Sequence, residues 1–282
     1  MRRDQYITCL THLSRMCYNV VIMELQNSLK GLRFGRDRIF WLVAGGLFLA
    51  YVLTISRLNL VVFLATVVAL LLAITVHECA HAWVADQLGD PTARDAGRIS
   101  LNPLVHLDPF GTVMVLFMAS AGMGIGWGKP VPVSPYRLRY GPRLGNGLVA
   151  LSGPISNLLL ATALGLVLRI AVISMVRFDL SLSQTVYTFL AIAVSINISL
   201  ALFNLLPLPP LDGHSVLLGL LSLSHDSWAW RASQFLASLQ QHGPLLLLGL
   251  ILISQFSGLN LIGWLIGPPA RFFLRLMMGV RG

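Results

Sequence analysis

The chain has 282 residues, of which 56% are hydrophobic and 11% charged, with a mean hydropathy of +0.76 and a formal net charge of +9. A soluble domain carries about 25% charged residues, so this chain has too little polar surface to cover itself in water. That excludes an ordinary soluble globule and points to an all-α polytopic protein with lipid as its solvent.

The positive charge does not imply a nucleic-acid partner. All but two of the 20 basic residues are arginines, and they fall in short clusters between apolar runs. Such clusters mark cytoplasmic loops. Cys9, Cys17 and Cys79 are odd in number and outline no disulfide framework.

Taken in chain order, residues 1–38 read as a basic cytoplasmic tail with no secretory signal. The first 22 of them read as an upstream extension before Met23. An intramembrane domain is expected over 39–267, with about six apolar segments. Residues 39–55 form a short first span. A second runs from Asn59 to about Leu88, where Gly89, Asp90 and Pro91 stop it. Residues 107–127 are apolar but broken by glycines. Spans over 148–176 and 186–206 follow, the latter ended by Pro207, Pro209 and Pro210. Residues 211–224 are short for a crossing, and 225–243 are amphipathic, with Trp228 and Trp230 suited to the membrane interface. The last span, 244–267, is closed by Pro268 and Pro269 ahead of a basic tail, 268–282.

The basic clusters place the N-terminus and the end of the second span on the cytoplasmic side. They also flank 107–127 on both sides, so that segment should dip in and return as a glycine-rich re-entrant element. Such backbone is tolerated at depth only where protein or a water-filled cavity covers it. The C-terminal arginines favour the cytoplasm as well, which would need one more crossing from 211–243. Arg98 and Lys129 read as topology determinants. Asp108 reads as a cap of the dip or a partner for an arginine.

The chemistry concentrates in His77-Glu78-Cys79-Ala80-His81. Histidines four apart lie about 40° apart around a helix, one turn up, so both imidazoles can reach one tetrahedral zinc. Glu78, next to the first histidine, is placed to take a proton from metal-activated water. These residues end a continuous apolar run, Leu60–Val76. A glutamate and two histidines there are costly unless a bound cation compensates them. A third protein ligand is required for a catalytic site. Asp212, on a helix end broken by Pro207, Pro209 and Pro210, offers one, with Gly213 expected to permit a tight turn. The same aspartate could instead cap the following helix.

HECAH in an apolar helix followed by NLLPLPPLDG resembles the site-2 protease family of intramembrane zinc metalloproteases. Gly153-Pro-Ile-Ser-Asn157 looks like that family's glycine-to-asparagine motif. Ser100-Leu-Asn-Pro-Leu-Val-His106-Leu-Asp-Pro-Phe-Gly111-Thr112 with Gly126-Trp-Gly-Lys-Pro-Val-Pro-Val133 is similar to its compact bacterial branch without a PDZ domain. The resemblance runs from about residue 40 to 224. It implies one zinc ion per chain on His77, His81 and Asp212, with Glu78 as general base and later acid. It further implies cleavage of transmembrane segments of other proteins near the cytoplasmic face of a bacterial cell membrane.

Four further residues carry alternatives. His106 could stabilise negative charge on the reacting carbonyl or be an ordinary loop histidine. Asn157 and Asn204 could hold substrate backbone or bond another helix. His214 could orient Asp212 or point away. A metal transporter is the rival from another class. It would normally show repeated halves, and no internal repeat is visible.

Overall fold

Residues 60–76 are aliphatic apart from Phe63, Thr66 and Thr75, and hold neither glycine nor proline. In the computed structural model they continue through HECAH as one helix, α1 (Leu60–Gln87). The structure describes residues 60–107, 128–178, 184–256 and 260–279. The expected first span (39–55), the N-terminal tail and all of the glycine-rich dip but Leu107 lie outside them, as does Asp108. The described residues belong to one compact unit, Leu58–Gly282.

Gly89, at φ 102°, takes the left-handed backbone that ends α1. A short helix α2 (Thr92–Asp95) follows. Next come α3 (Pro142–Phe178), with Pro154 inside it, and α4 (Gln184–Asn204). Beyond the three prolines lie α5 (Asp212–Leu221), the amphipathic α6 (Ser227–Leu239), α7 (Gly243–Phe256) and α8 (Leu261–Met278). No strand occurs among the described residues. Among the described residues, three helices, α1, α3 and α4, are long and apolar enough to cross a membrane.

The expected last span is two helices. Asn260 opens α8 by accepting a hydrogen bond from the Gly263 amide at 2.8 Å. Because the helix restarts there, Pro268 and Pro269 fall inside α8 and do not close a span.

Helices α1, α3 and α4 pack pairwise, α5 lies along α3, and α8 leans on α3 and α4. Ala69 and Ala73 of α1 meet Ala193, Ile196 and Leu200 of α4 in one buried cluster. Small residues let the backbones approach, which is how helices associate where lipid removes the hydrophobic drive. Ala161, Val194, Ile198 and Met277 form a second cluster that brings in α8. The outward face of α3 exposes Leu159, Leu166, Ile170 and Ile173. In water that apolar stripe would drive association; in a bilayer it is an ordinary lipid-facing surface.

Candidate metal centre

The helical spacing of HECAH does locally what it promises. His77 and His81 are both buried, their rings 4.6 Å apart at 85°. Each ring is held at Nδ1. His77 Nδ1 lies 2.6 Å from Asn157 Oδ1, and His81 Nδ1 lies 2.8 Å from the Val149 carbonyl. Both partners are oxygens that only accept, so both Nδ1 atoms carry the proton and, in the neutral rings, both Nε2 atoms present a lone pair.

Those lone pairs face Asp212. Its Oδ2 stands 3.1 Å from His77 Nε2 and 3.4 Å from His81 Nε2. Asp212 is the first residue of α5; its side chain makes no capping hydrogen bond, and Leu211 occupies the cap position. The carboxylate turns to the histidines. Gly213 is needed for a reason other than turn freedom. It is helical, and a Cβ there would stand 2.2 Å from the Leu205 carbonyl oxygen.

The donor set fits a zinc ion. One atom from each of His77, His81 and Asp212 lies within 4.8 Å of the others. Donors at tetrahedral zinc bond lengths stand about 3.3 Å from one another. Asp212 Oδ2 is buried and has no hydrogen-bond donor. Three electron-rich atoms converging without a proton between them repel one another, and a divalent cation removes that cost.

α3 supplies the wall behind the histidines. A Cβ at Gly153 would stand 2.5 Å from His81 Cε1 and 2.6 Å from His77 Cε1, so only glycine lets α3 come this close. Pro154, next in the chain and fully buried, cannot donate to the Ala150 carbonyl. This loosens the ladder beside Val149, whose carbonyl takes both His81 Nδ1 and, at 2.6 Å, the Ser152 hydroxyl.

The remaining expected residues are spread more widely. Glu78 is half-buried on α1, and Gly128 packs on its carboxylate, where a Cβ would lie 2.9 Å from Oε1. Asn157 is fully buried, and both its donors are used, on the Ala73 carbonyl at 3.0 Å and on Asn197 Oδ1 at 2.9 Å. These bonds tie α3 to α1 and α4. Asn204 ends α4 and donates to the Leu200 carbonyl. His106 is fully buried with Nε2 2.7 Å from the Ser100 carbonyl, and it is not among the three clustered donors. His214 points away from Asp212, its Nε2 3.0 Å from the Leu236 carbonyl on α6.

Two residues escaped sequence reasoning. Asn197 is a fully buried amide in the middle of α4. Its signal was available, since a lone asparagine in an apolar span is costly unless bonded. Arg98, read as a topology charge, is buried and holds the carbonyls of Val105, Lys129 and Pro130 with its guanidinium. No motif distinguishes it from the other loop arginines.

The model of peptidase family M50 matches residues 169–247, a stretch that contains Asp212 and Asn197. Over that stretch the chain is similar to peptidase family M50. Among curated proteins named "Putative zinc metalloprotease", YwhC of Bacillus subtilis is 43% identical over 156 residues, 54% of this chain and 66% of that protein. Rip2 of Mycolicibacterium smegmatis is 29% identical over 168 residues, 58% of this chain and 60% of its own length. MJ0611 of Methanocaldococcus jannaschii is 25% identical over 185 residues, 66% of this chain and 85% of its own length. The chain thus spans just under two thirds of the first relatives it matches. No solved structure matches it. The likeness to the M50 family agrees with the zinc donor set on α1 and α5.

Proposed function

We propose that this chain is an intramembrane zinc endopeptidase that hydrolyses peptide bonds in transmembrane segments of other membrane proteins. The reading rests on one observation above all: His77 Nε2, His81 Nε2 and Asp212 Oδ2 converge within 4.8 Å of one another, beside a glutamate on an apolar helix.

His77, His81 and Asp212 are the metal ligands and Glu78 the general base. Zinc, when bound, supplies a Lewis acid that lets water act as a nucleophile near neutral pH. Glu78 accepts the proton of the attacking water at its carboxylate and returns it to the departing amine nitrogen. A helical substrate hides its carbonyls in hydrogen bonds, so it must unwind locally before it can react. The segment around Pro207–Pro210 or residues 107–133 offers backbone to the extended substrate as an added strand. The chain lies in a bacterial cell membrane as a multi-pass protein. Its N-terminus faces the cytoplasm, and cleavage falls near that face. Its partners are the lipid bilayer and a transmembrane protein substrate, with no nucleic acid.

The test uses purified wild type and Glu78→Gln in detergent against a panel of single-span substrates. Wild type should hold one zinc and cut. Glu78→Gln should hold the same zinc and cut slower by about 10²- to 10⁴-fold. Tight metal binding with no cleavage by either protein, across a broad panel, would favour a metal-transport role. Absence of metal from both would remove the central claim.

A further inference from the structure

Two buried amides connect the metal centre to a helix that supplies no ligand. Asn197 of α4 donates from Nδ2 to the Ala193 carbonyl at 2.8 Å. Its Oδ1 accepts from Asn157 Nδ2 at 2.9 Å, and Asn157 Oδ1 faces His77 Nδ1 at 2.6 Å. Both asparagines are fully buried.

Every bond in this line has one direction. A carbonyl only accepts, so Asn197 must turn its NH2 to Ala193 and its oxygen to Asn157. Asn157 must then turn its NH2 to Asn197 and to the Ala73 carbonyl of α1, at 3.0 Å. Its oxygen is left for His77, which must donate from Nδ1. A flipped Asn157 would set its oxygen against two other oxygens and its NH2 against Nδ1, with water excluded from the site. The line therefore sets which nitrogen of His77 holds the lone pair, and that nitrogen, Nε2, is the one facing Asp212.

We propose that Asn197 is a positioning residue of the metal centre. Through Asn157, it fixes His77 in the tautomer that binds zinc and locks α1, α3 and α4 together at that ligand. The inference rests on the metalloprotease reading and extends it to a residue outside the ligand set.

The test is zinc affinity of the full chain in detergent, stripped of metal and titrated against a chromophoric chelator. Asn197→Leu keeps the volume and removes the acceptor. It should weaken zinc by about 10- to 100-fold, as loss of a ligand's supporting hydrogen bond does. Asn157→Leu should do at least as much, and the double variant no more than the worse single one, because both act on His77 by one route. Asn197→Asp keeps an acceptor oxygen in either protonation state and should stay close to wild type. This variant answers the question even if the leucine protein does not fold. Wild-type zinc affinity in Asn197→Leu, full additivity of the two losses, or an Asn197→Asp as weak as Asn157→Leu would each overturn the relay. If wild type itself holds no zinc, the metalloprotease reading falls with it; if wild type and Asn197→Leu hold zinc equally, only the relay falls.

Discussion

A hydrogen atom at position 153 is what lets α3 lie against two imidazoles. A methyl there would stand 2.5 Å from His81 Cε1, well inside van der Waals contact. The His81 ring cannot slide away without breaking its 2.8 Å bond to the Val149 carbonyl, and the His77 ring is tied to Asn157 in the same manner. Gly153→Ala is therefore expected to push both Nε2 atoms off the metal position. Overpacking of this kind costs about 1–3 kcal/mol. Zinc affinity in the chelator titration should fall by more than about tenfold, since ligand misplacement adds to the strain. An alanine variant with wild-type affinity would mean that α3 shifts freely at this point.

At the scale of elements, two polar ties fasten the loops that follow α1. Arg98 grips the carbonyls of Val105, Lys129 and Pro130, and the Lys129 amide donates to the His106 carbonyl at 2.8 Å. In the second tie, Asp90 accepts from the Thr92 hydroxyl at 2.5 Å, the Ser134 amide at 2.5 Å and the Thr92 amide at 3.2 Å. Burial by itself would raise the Asp90 carboxyl. The Thr92 hydroxyl, the Ser134 and Thr92 amides and the nearby Arg137 charge outweigh it and hold the group below its ordinary value. The sign follows from linkage. A carboxyl depressed in the folded state contributes stability above its unfolded pKa of about 3.9 and loses it as pH falls through the folded value. Wild-type thermal stability should therefore drop on acidification below about pH 4, with a shallower drop in Asp90→Asn. Equal slopes for the two proteins, measured by thermal melts across that range, would show that Asp90 carries none of the dependence.

For the whole molecule, the metal centre joins parts of the chain that are far apart in sequence. His77 and His81 lie in the C-terminal third of α1, Asp212 begins α5, and α3 backs the histidines with Gly153, Val149 and Asn157. An ion held by both ends should stabilise the assembly as any ligand of the native state does, by about 4 kcal/mol at a thousandfold excess over Kd. Chelation should lower Tm, zinc should restore it, and magnesium should not, because nitrogen donors suit zinc and disfavour magnesium. A melting temperature indifferent to chelation, in protein shown to lose its metal, would contradict this coupling.

Much of this was legible in the residues alone. Low charge and high hydropathy decide the solvent, because polar surface cannot be made from apolar side chains. The 3.6-residue period places His77 beside His81 on any helix that forms. Three prolines must end α4, so Asp212 must begin something new. Asn197, Arg98 and the Val149 carbonyl were not legible in the same way. Their roles come from contacts between segments distant in the chain, and a lone asparagine, a loop arginine or a backbone oxygen has no local pattern to announce its partner. The split of 244–267 into α7 and α8 was hidden for a related reason, since a cap at Asn260 competes with a continuous apolar run that local hydropathy favours. Sequence by itself determined the solvent, the long helices α1, α3 and α4, and the candidate metal-binding side chains. Only the tertiary structure decided which helix holds each of those side chains still, because hydrogen bonds between helices depend on distances in space and not along the chain.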